Sequence, residues 1–161
     1  MPASEVLPGD VEQALLAALE SNLPGINVGA ISDKDINDDD QLVLYMPCAR
    51  QRYVGTEYRN QADNQWLTYD TCHNFEIWCG AEDLTSKEAQ RTATLAILTL
   101  VLPLVAGARL PLPDGSVTEP VALKTIGKLQ DDILGTIFIL SVEVSGIAQF
   151  PGTLAAGNED N

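Results

Sequence analysis

The sequence predicts an α+β fold, a mostly antiparallel β-sheet with two main helices packed on one face. Three observations predict it. Val11, Ala14, Leu15, Ala18 and Leu19 recur at helical spacing near the start. A second helical run, Leu95 to Leu102, is apolar on all sides. Strand-type segments lie between these helices and again after the second one, the order expected when helices cover one face of a sheet.

Taken in order, residues 1–9 form a lead-in. Asp10 with Gln13 three positions later suggests a capped helix start, and Pro24-Gly25 ends that helix. Ile26, Val28 and Ala30 alternate with Asn27 and Gly29 as in a first strand. Residues 32–40 (SDKDINDDD) read as a polar loop, and Gln41 to Met46 as a short strand interrupted by Pro47-Cys48-Ala49. Arg50 to Tyr58 reads as a further strand or an arm, and residues 59–65 as a polar loop or hairpin tip.

Trp66 to Cys79 is a long strand, with Phe75, Ile77 and Cys79 on one face and Glu76 and Trp78 on the other. Thr85 and Glu88 suggest the capping box of the second helix, which Pro103 should end or kink. Pro111-Leu112-Pro113-Asp114-Gly115 is a turn, since Pro fixes φ and Gly tolerates φ > 0. Val121 to Leu129 and Ile133 to Ile147 pair as a hairpin about Gln130-Asp131-Asp132. Its apolar face carries Phe138, Leu140, Val142 and Val144. The single domain spans residues 10–150, and residues 151–161 form a polar tail expected to lack fixed structure.

The chain has 161 residues, 45% of them apolar, and a formal net charge of −14. One domain of this length buries enough surface to fold without staples. The charge argues against binding nucleic-acid phosphates or anionic lipid, and for a basic protein partner or a surface that must not hold DNA. The start lacks the pattern of a signal peptide. Three cysteines, an odd and sparse set, point to thiols in a reducing cytosol. Residues 93–108 carry no charge but are short for a membrane span and contain Pro103, so they read as a buried core helix.

No motif selects an active site. Asp33, Asp35, Asn37 and Asp39 mimic alternate positions of a calcium loop, but Asp38 stands where its glycine belongs and Leu44 where its bidentate glutamate belongs. Asp33, Asp35, Asp38, Asp39 and Asp40 are therefore expected to form a solvated acidic loop. Cys72, His73 and Cys79 lack zinc spacing and read as two core cysteines and a surface histidine. Adjacent strand side chains point apart, which disfavours a Cys72–His73 dyad. No phosphate-cradling, dinucleotide or nucleophile-elbow motif occurs. Arg50, Arg52, Tyr53, Tyr58 and Arg59 make a basic, aromatic segment, a candidate docking arm, or equally an edge strand guarded by arginine.

The phrases "LPGI", "MPCARQRYVG", "FEIWCGA", "SKEAQRTA" and "PVALKTIGKLQDDILGTIFILSVEV" follow one another in an order that resembles the Mu-like tail terminator, or tail-completion, family of contractile-tailed bacteriophages. The resemblance covers roughly residues 10–150. It implies a virion protein without catalysis or cofactor. On this resemblance six subunits would form a ring that caps the tail tube at its head-proximal end, stops polymerisation and meets tube, sheath and neck proteins. DNA passes through the ring without specific binding and no membrane is involved. The resemblance also implies assembly in the host cytoplasm and a final place in the virion, at the head-proximal end of the tail. Six copies would carry about −84, so the acidic loop would line or flank the channel and repel phosphates. Two other readings are another neck or head–tail connector protein, and a small acidic protein-binding dimer with no virion role. A third is an enzyme whose site is assembled between subunits.

Overall fold

The computed structural model describes residues 5–32, 35, 44–59, 66–83, 85–132 and 135–151. Helix α1 spans Pro8–Asn22 and α2 spans Lys87–Val105. The strands are β1 Asn27–Ala30, β2 Cys48–Arg59, β3 Trp66–Ala81, β4 Ala122–Asp132 and β5 Gly135–Pro151. They form one sheet in the order β1-β2-β3-β5-β4. Among the described residues, only β1 and β2 pair in parallel. The other three pairs are antiparallel, so the α+β architecture is the one the sequence predicts.

The core lies between the sheet and both helices. Val11, Leu15 and Leu19 of α1 and Ile97, Leu98, Val101 and Val105 of α2 meet Phe75, Ile77 and Cys79 of β3 and Leu140, Val142 and Val144 of β5. α1 covers β1 and β2, while α2 covers β3 and β5. On the other face, Cys48, Trp78, Ile137 and Leu44 form a smaller apolar cluster. The alternation read from the sequence for β3 and β5 therefore places each named apolar residue on its expected side.

Several expected boundaries are corrected. α1 begins at Pro8, with Leu7 as N-cap and no side-chain cap, because proline presets φ at the first helical position without needing Asp10. The cap of α2 is Ser86, whose hydroxyl accepts from the Ala89 amide at 3.0 Å, one residue beyond the predicted Thr85. Pro103 sits inside α2 two residues before its end. Pro47-Cys48-Ala49 was expected to interrupt a strand, yet β2 starts at Cys48, and Leu44–Met46 are not in a strand. β4 and β5 continue to a pair between Asp132 and Gly135, so Gln130-Asp131-Asp132 is strand rather than turn. The expected turn at 111–115 is present, with the Gly115 amide donating to Leu112 O at 3.0 Å. The polar tail 152–161 lies outside the described residues.

The lead-in is tied down. The Val6 amide donates to Ile147 O at 3.2 Å, and the Gln149 amide donates to Glu5 Oε1 at 3.3 Å. Val6 is buried against Gly146, where an added Cβ would lie 2.5 Å from Val6 Cβ. Glycine at 146 is what lets this segment lie on β5.

Candidate functional site

α2 was expected to be buried by several neighbours. It is not: Leu95 and Leu100 remain 46% and 55% exposed, beside exposed Ala96 and Pro103. The helix is long and apolar enough by composition to cross a membrane, yet only a third of its apolar window is buried within the fold. Its inner stripe packs on β3 and β5, and its outer stripe has nothing above it among the described residues. Its start is anchored to the β4–β5 end: Gln90 Nε2 donates to Asp132 O and to Thr136 Oγ1, both at 2.9 Å, and Arg91 Nε donates to Asp131 Oδ2 at 2.8 Å. Leu95 lies one turn beyond Arg91 on that same β4-facing flank.

β4 is an edge strand whose residues 122–129 are all exposed. Leu123, Ile126 and Leu129 show 45–49% of their surface. Leu123 and Ile126 stand opposite Val142 and Leu140, hence on the helix side of the sheet. Register shifts fall between Leu123 and Thr125 and between Lys128 and Gln130.

The opposite edge of the sheet carries a second exposed surface. β1 pairs with residues 48–51 of β2, and among the described residues no strand pairs with residues 52–59 on that side. Tyr53, Thr56 and Tyr58 face the helix side, opposite Phe75, His73 and Thr71. Tyr53 packs on Phe75 with ring centroids 5.3 Å apart, and Tyr58, Tyr69 and Phe150 cluster at the sheet end. Tyr53, Val54 and Tyr58 expose 39–55% of their surface. Arg52 and Arg59 lie on the other face, paired with Glu76 and Glu57.

Two of the residues singled out in the sequence have a different place. Arg50 is not on an arm. Its Nη2 lies 2.9 Å from Asp35 Oδ2 and 2.8 Å from Ala30 O, with Asp35 buried and Arg50 largely enclosed. Asp35 is correspondingly not solvated, because Arg50 and the Ser32 amide (2.7 Å) take its carboxylate into the fold. Asp33, Asn37, Asp38, Asp39 and Asp40 lie outside the described residues.

His73 is also corrected, from surface to core. It is buried on the helix side, with Nε2 2.6 Å from Val6 O and Nδ1 2.7 Å from Thr56 Oγ1. The carbonyl can only accept, so Nε2 carries the proton and Nδ1 accepts from the threonine hydroxyl. Burial pushes the imidazole below its ordinary value, against the hydrogen bond to Val6. Cys72 is on the opposite face, its Sγ 3.0 Å from Glu143 Oε2, and burial followed by that carboxylate pushes the thiol up to about 11. Burial raises Cys48 and Cys79 to about 12. High values disfavour thiolate chemistry at all three, and the strand keeps His73 and Cys72 on opposite faces.

A cleft of about 520 Å³ opens beside β5, lined among others by Val6, Thr71, Cys72, Leu112, Thr118 and Glu143. Among the described residues, no group of three or more His, Cys, Asp or Glu could hold a metal ion. The described surface is marked by the exposed apolar and aromatic side chains of α2, β2 and β4.

No protein-family model matches the chain, and no curated protein matches it by sequence. Its fold is similar to that of a solved chain described as "Virion of native gene transfer agent (GTA) particle". The TM-score is 0.61 at 12% identity, with 90% of this chain and 100% of that chain covered.

Proposed function

We propose that the chain is a structural virion protein, a tail terminator subunit. Six copies would form a ring that caps the tail tube at its head-proximal end, stops tube growth and joins the tail to the neck. The observation that carries this reading is the likeness in fold to a virion chain over that chain's whole length. The order of elements read from the sequence supports the terminator role within that class. The exposed apolar surfaces of α2, β2 and β4 support it too, since an assembly protein must keep such surfaces for its neighbours. In this role the protein acts by assembling, without catalysis or cofactor, and its net charge of −14 keeps DNA from adhering to the passage.

The likeness to a virion chain serves equally for another neck or head–tail connector protein. Tail length separates the two. In particles made without this protein, a terminator's absence leaves tubes of uncontrolled length without heads. A connector's absence leaves tubes of normal length that fail to join. Electron micrographs of such lysates test the reading, and normal-length tails on filled heads would overturn both versions.

A further inference from the structure

A line of hydrogen bonds runs from the surface of β2 to the buried ring of His73 and on to the segment before α1. Tyr53 Oη is hydrogen-bonded to Thr56 Oγ1, Thr56 Oγ1 lies 2.7 Å from His73 Nδ1, and His73 Nε2 lies 2.6 Å from Val6 O. Tyr53 is exposed and His73 is buried. Residues three apart on a regular strand point to opposite faces. The register shift between Tyr53 and Gly55 leaves Val54 as an extra residue, and this sets Tyr53 and Thr56 on one face, opposite Phe75 and His73.

The direction of every bond in the line is forced. A carbonyl only accepts, so Nε2 of the neutral ring carries the proton and Nδ1 accepts. Thr56 therefore gives its single hydrogen to Nδ1, and Tyr53 gives its own to Thr56. The Tyr53 hydroxyl is left with its lone pairs toward solvent. Among the described residues, neither hydroxyl has another partner.

We propose that this line is a pH switch, in which one proton taken up by buried His73 turns the Tyr53 hydroxyl at the surface from acceptor to donor. The incoming proton bonds to Nδ1, the ring nitrogen with a free lone pair. Nδ1 then donates to Thr56 Oγ1, the Thr56 hydrogen swings to Tyr53 Oη, and the Tyr53 hydrogen swings outward. An N–H bond forms, two hydroxyls rotate and no O–H bond breaks. The charged ring then donates to Thr56 and to Val6 O, the pairing that a buried ion needs. The unpaired stretch of β2 thus offers an oxygen in the neutral state and a hydrogen in the protonated one. By linkage, an acceptor set against Tyr53 from outside raises the proton affinity of His73.

The surroundings of the ring leave this route to the hydroxyls. Thr71 and Phe75 flank His73 on its face of β3, and Val144 stands opposite on β5. Arg52 and Glu57 lie on the other face, paired with Glu76 and Arg59, and Glu5 accepts from the Gln149 amide. α1 carries Asp10, Glu12 and Glu20. Among the described residues, burial and the Val6 carbonyl perturb the ring and no charged side chain does.

His73 is the only histidine of the chain, so its two ring nitrogens give single signals in nitrogen NMR. At pH 7 the expected spectrum is that of the Nε2–H tautomer with a hydrogen-bonded Nδ1, and acid should protonate the ring within the folded protein. Tyr53→Phe keeps the aromatic ring on Phe75 and removes only the hydroxyl. The Thr56 hydrogen then has nowhere to swing. The proton affinity of His73 is expected to fall roughly three- to tenfold, the size of one hydrogen bond, with melting at pH 7 close to wild type. Thr56→Val should lower it further, and Thr56→Ser, which keeps the hydroxyl, should titrate like the wild type. An Nδ1–H tautomer, equal titration of Tyr53→Phe and wild type, or unfolding of the wild type before His73 titrates would each overturn the switch.

Discussion

Arg50 and Asp35, fifteen positions apart, form an ion pair inside the subunit, Nη2 to Oδ2 at 2.9 Å with 12% and 3% of their side chains exposed. The pair fastens the start of the chain between β1 and β2 to the edge of the sheet, since Arg50 also binds Ala30 O and Asn27 Oδ1. Gly29 makes room for it: a Cβ there would lie 2.6 Å from Arg50 Nη1. Removing one partner strands a buried charge, which typically costs about 3–5 kcal/mol. Arg50→Ala and Asp35→Ala are each expected to destabilise by that order in urea unfolding. The double change Arg50→Met with Asp35→Leu should cost less than either. Single variants with wild-type midpoints would contradict this placement.

The stripe and outer face of α2 are expected to separate stability from association. Leu98 is buried, and Leu98→Ala should cost about 2–5 kcal/mol by loss of packing and the cavity left behind. Leu95, 46% exposed, should tolerate Leu95→Gln within roughly 0.5 kcal/mol, as exposed sites do. The same change should weaken association. Thermal unfolding of dilute protein and light scattering of concentrated protein read the two effects separately. Equal destabilisation by both changes would contradict it.

This contrast marks where the sequence stops being legible. A run apolar on all sides, Leu95 to Leu102, says that every side of the helix is covered, but not whether the cover comes from the same chain. Leu98 is covered by β-strands, while Leu95 and Leu100 stay about half exposed among the described residues. The stripes of α1, β3 and β5 were legible because period 3.6 or period 2 alone assigns their faces. Asp35 was not, because one buried carboxylate among solvated ones carries no mark. His73 was not either, because its partners come from Val6 and Thr56, 67 and 17 positions away. The open half of β2 was half legible. Its arginines and tyrosines suggested docking, but only the pairing shows that the tyrosines share the helix side and the arginines, spent on glutamates, the other.

His73 gives a pH dependence with a definite sign. Burial lowers its folded-state pKa, while the unfolded chain titrates near the ordinary value of about 6.5. Above that value both states are neutral and His73 adds no slope. As pH falls through it, the unfolded state takes up a proton that the folded state refuses, so stability drops until the folded-state pKa is passed. Urea midpoints are therefore expected to fall between pH 7 and pH 5. His73→Gln should be less stable at pH 7 and should lose less on acidification. An identical slope in wild type and variant would contradict the assignment.

Gly146→Ala is expected to release the segment before α1. The new methyl would lie 2.5 Å from Val6 Cβ, and overpacking of this kind costs about 1–3 kcal/mol. The hydrogen bonds from the Val6 amide to Ile147 and from His73 to Val6 O should open together. Faster amide hydrogen exchange at Val6, with β3 unchanged, is the expected signature. Unchanged protection would show that Val6 does not depend on Gly146.

The central claim, a ring built from this chain, is tested most directly by the mass of the purified protein measured by light scattering across a salt series. A closed hexamer of 17.3 kDa subunits weighs about 104 kDa. With net charge −14 on each copy, like-charge repulsion opposes closure until salt screens it over a Debye length of roughly 10 Å at 0.1 M. The account predicts a concentration-dependent rise to that mass, more complete at moderate than at low salt. A mass that stays at 17.3 kDa at every salt and concentration would contradict it.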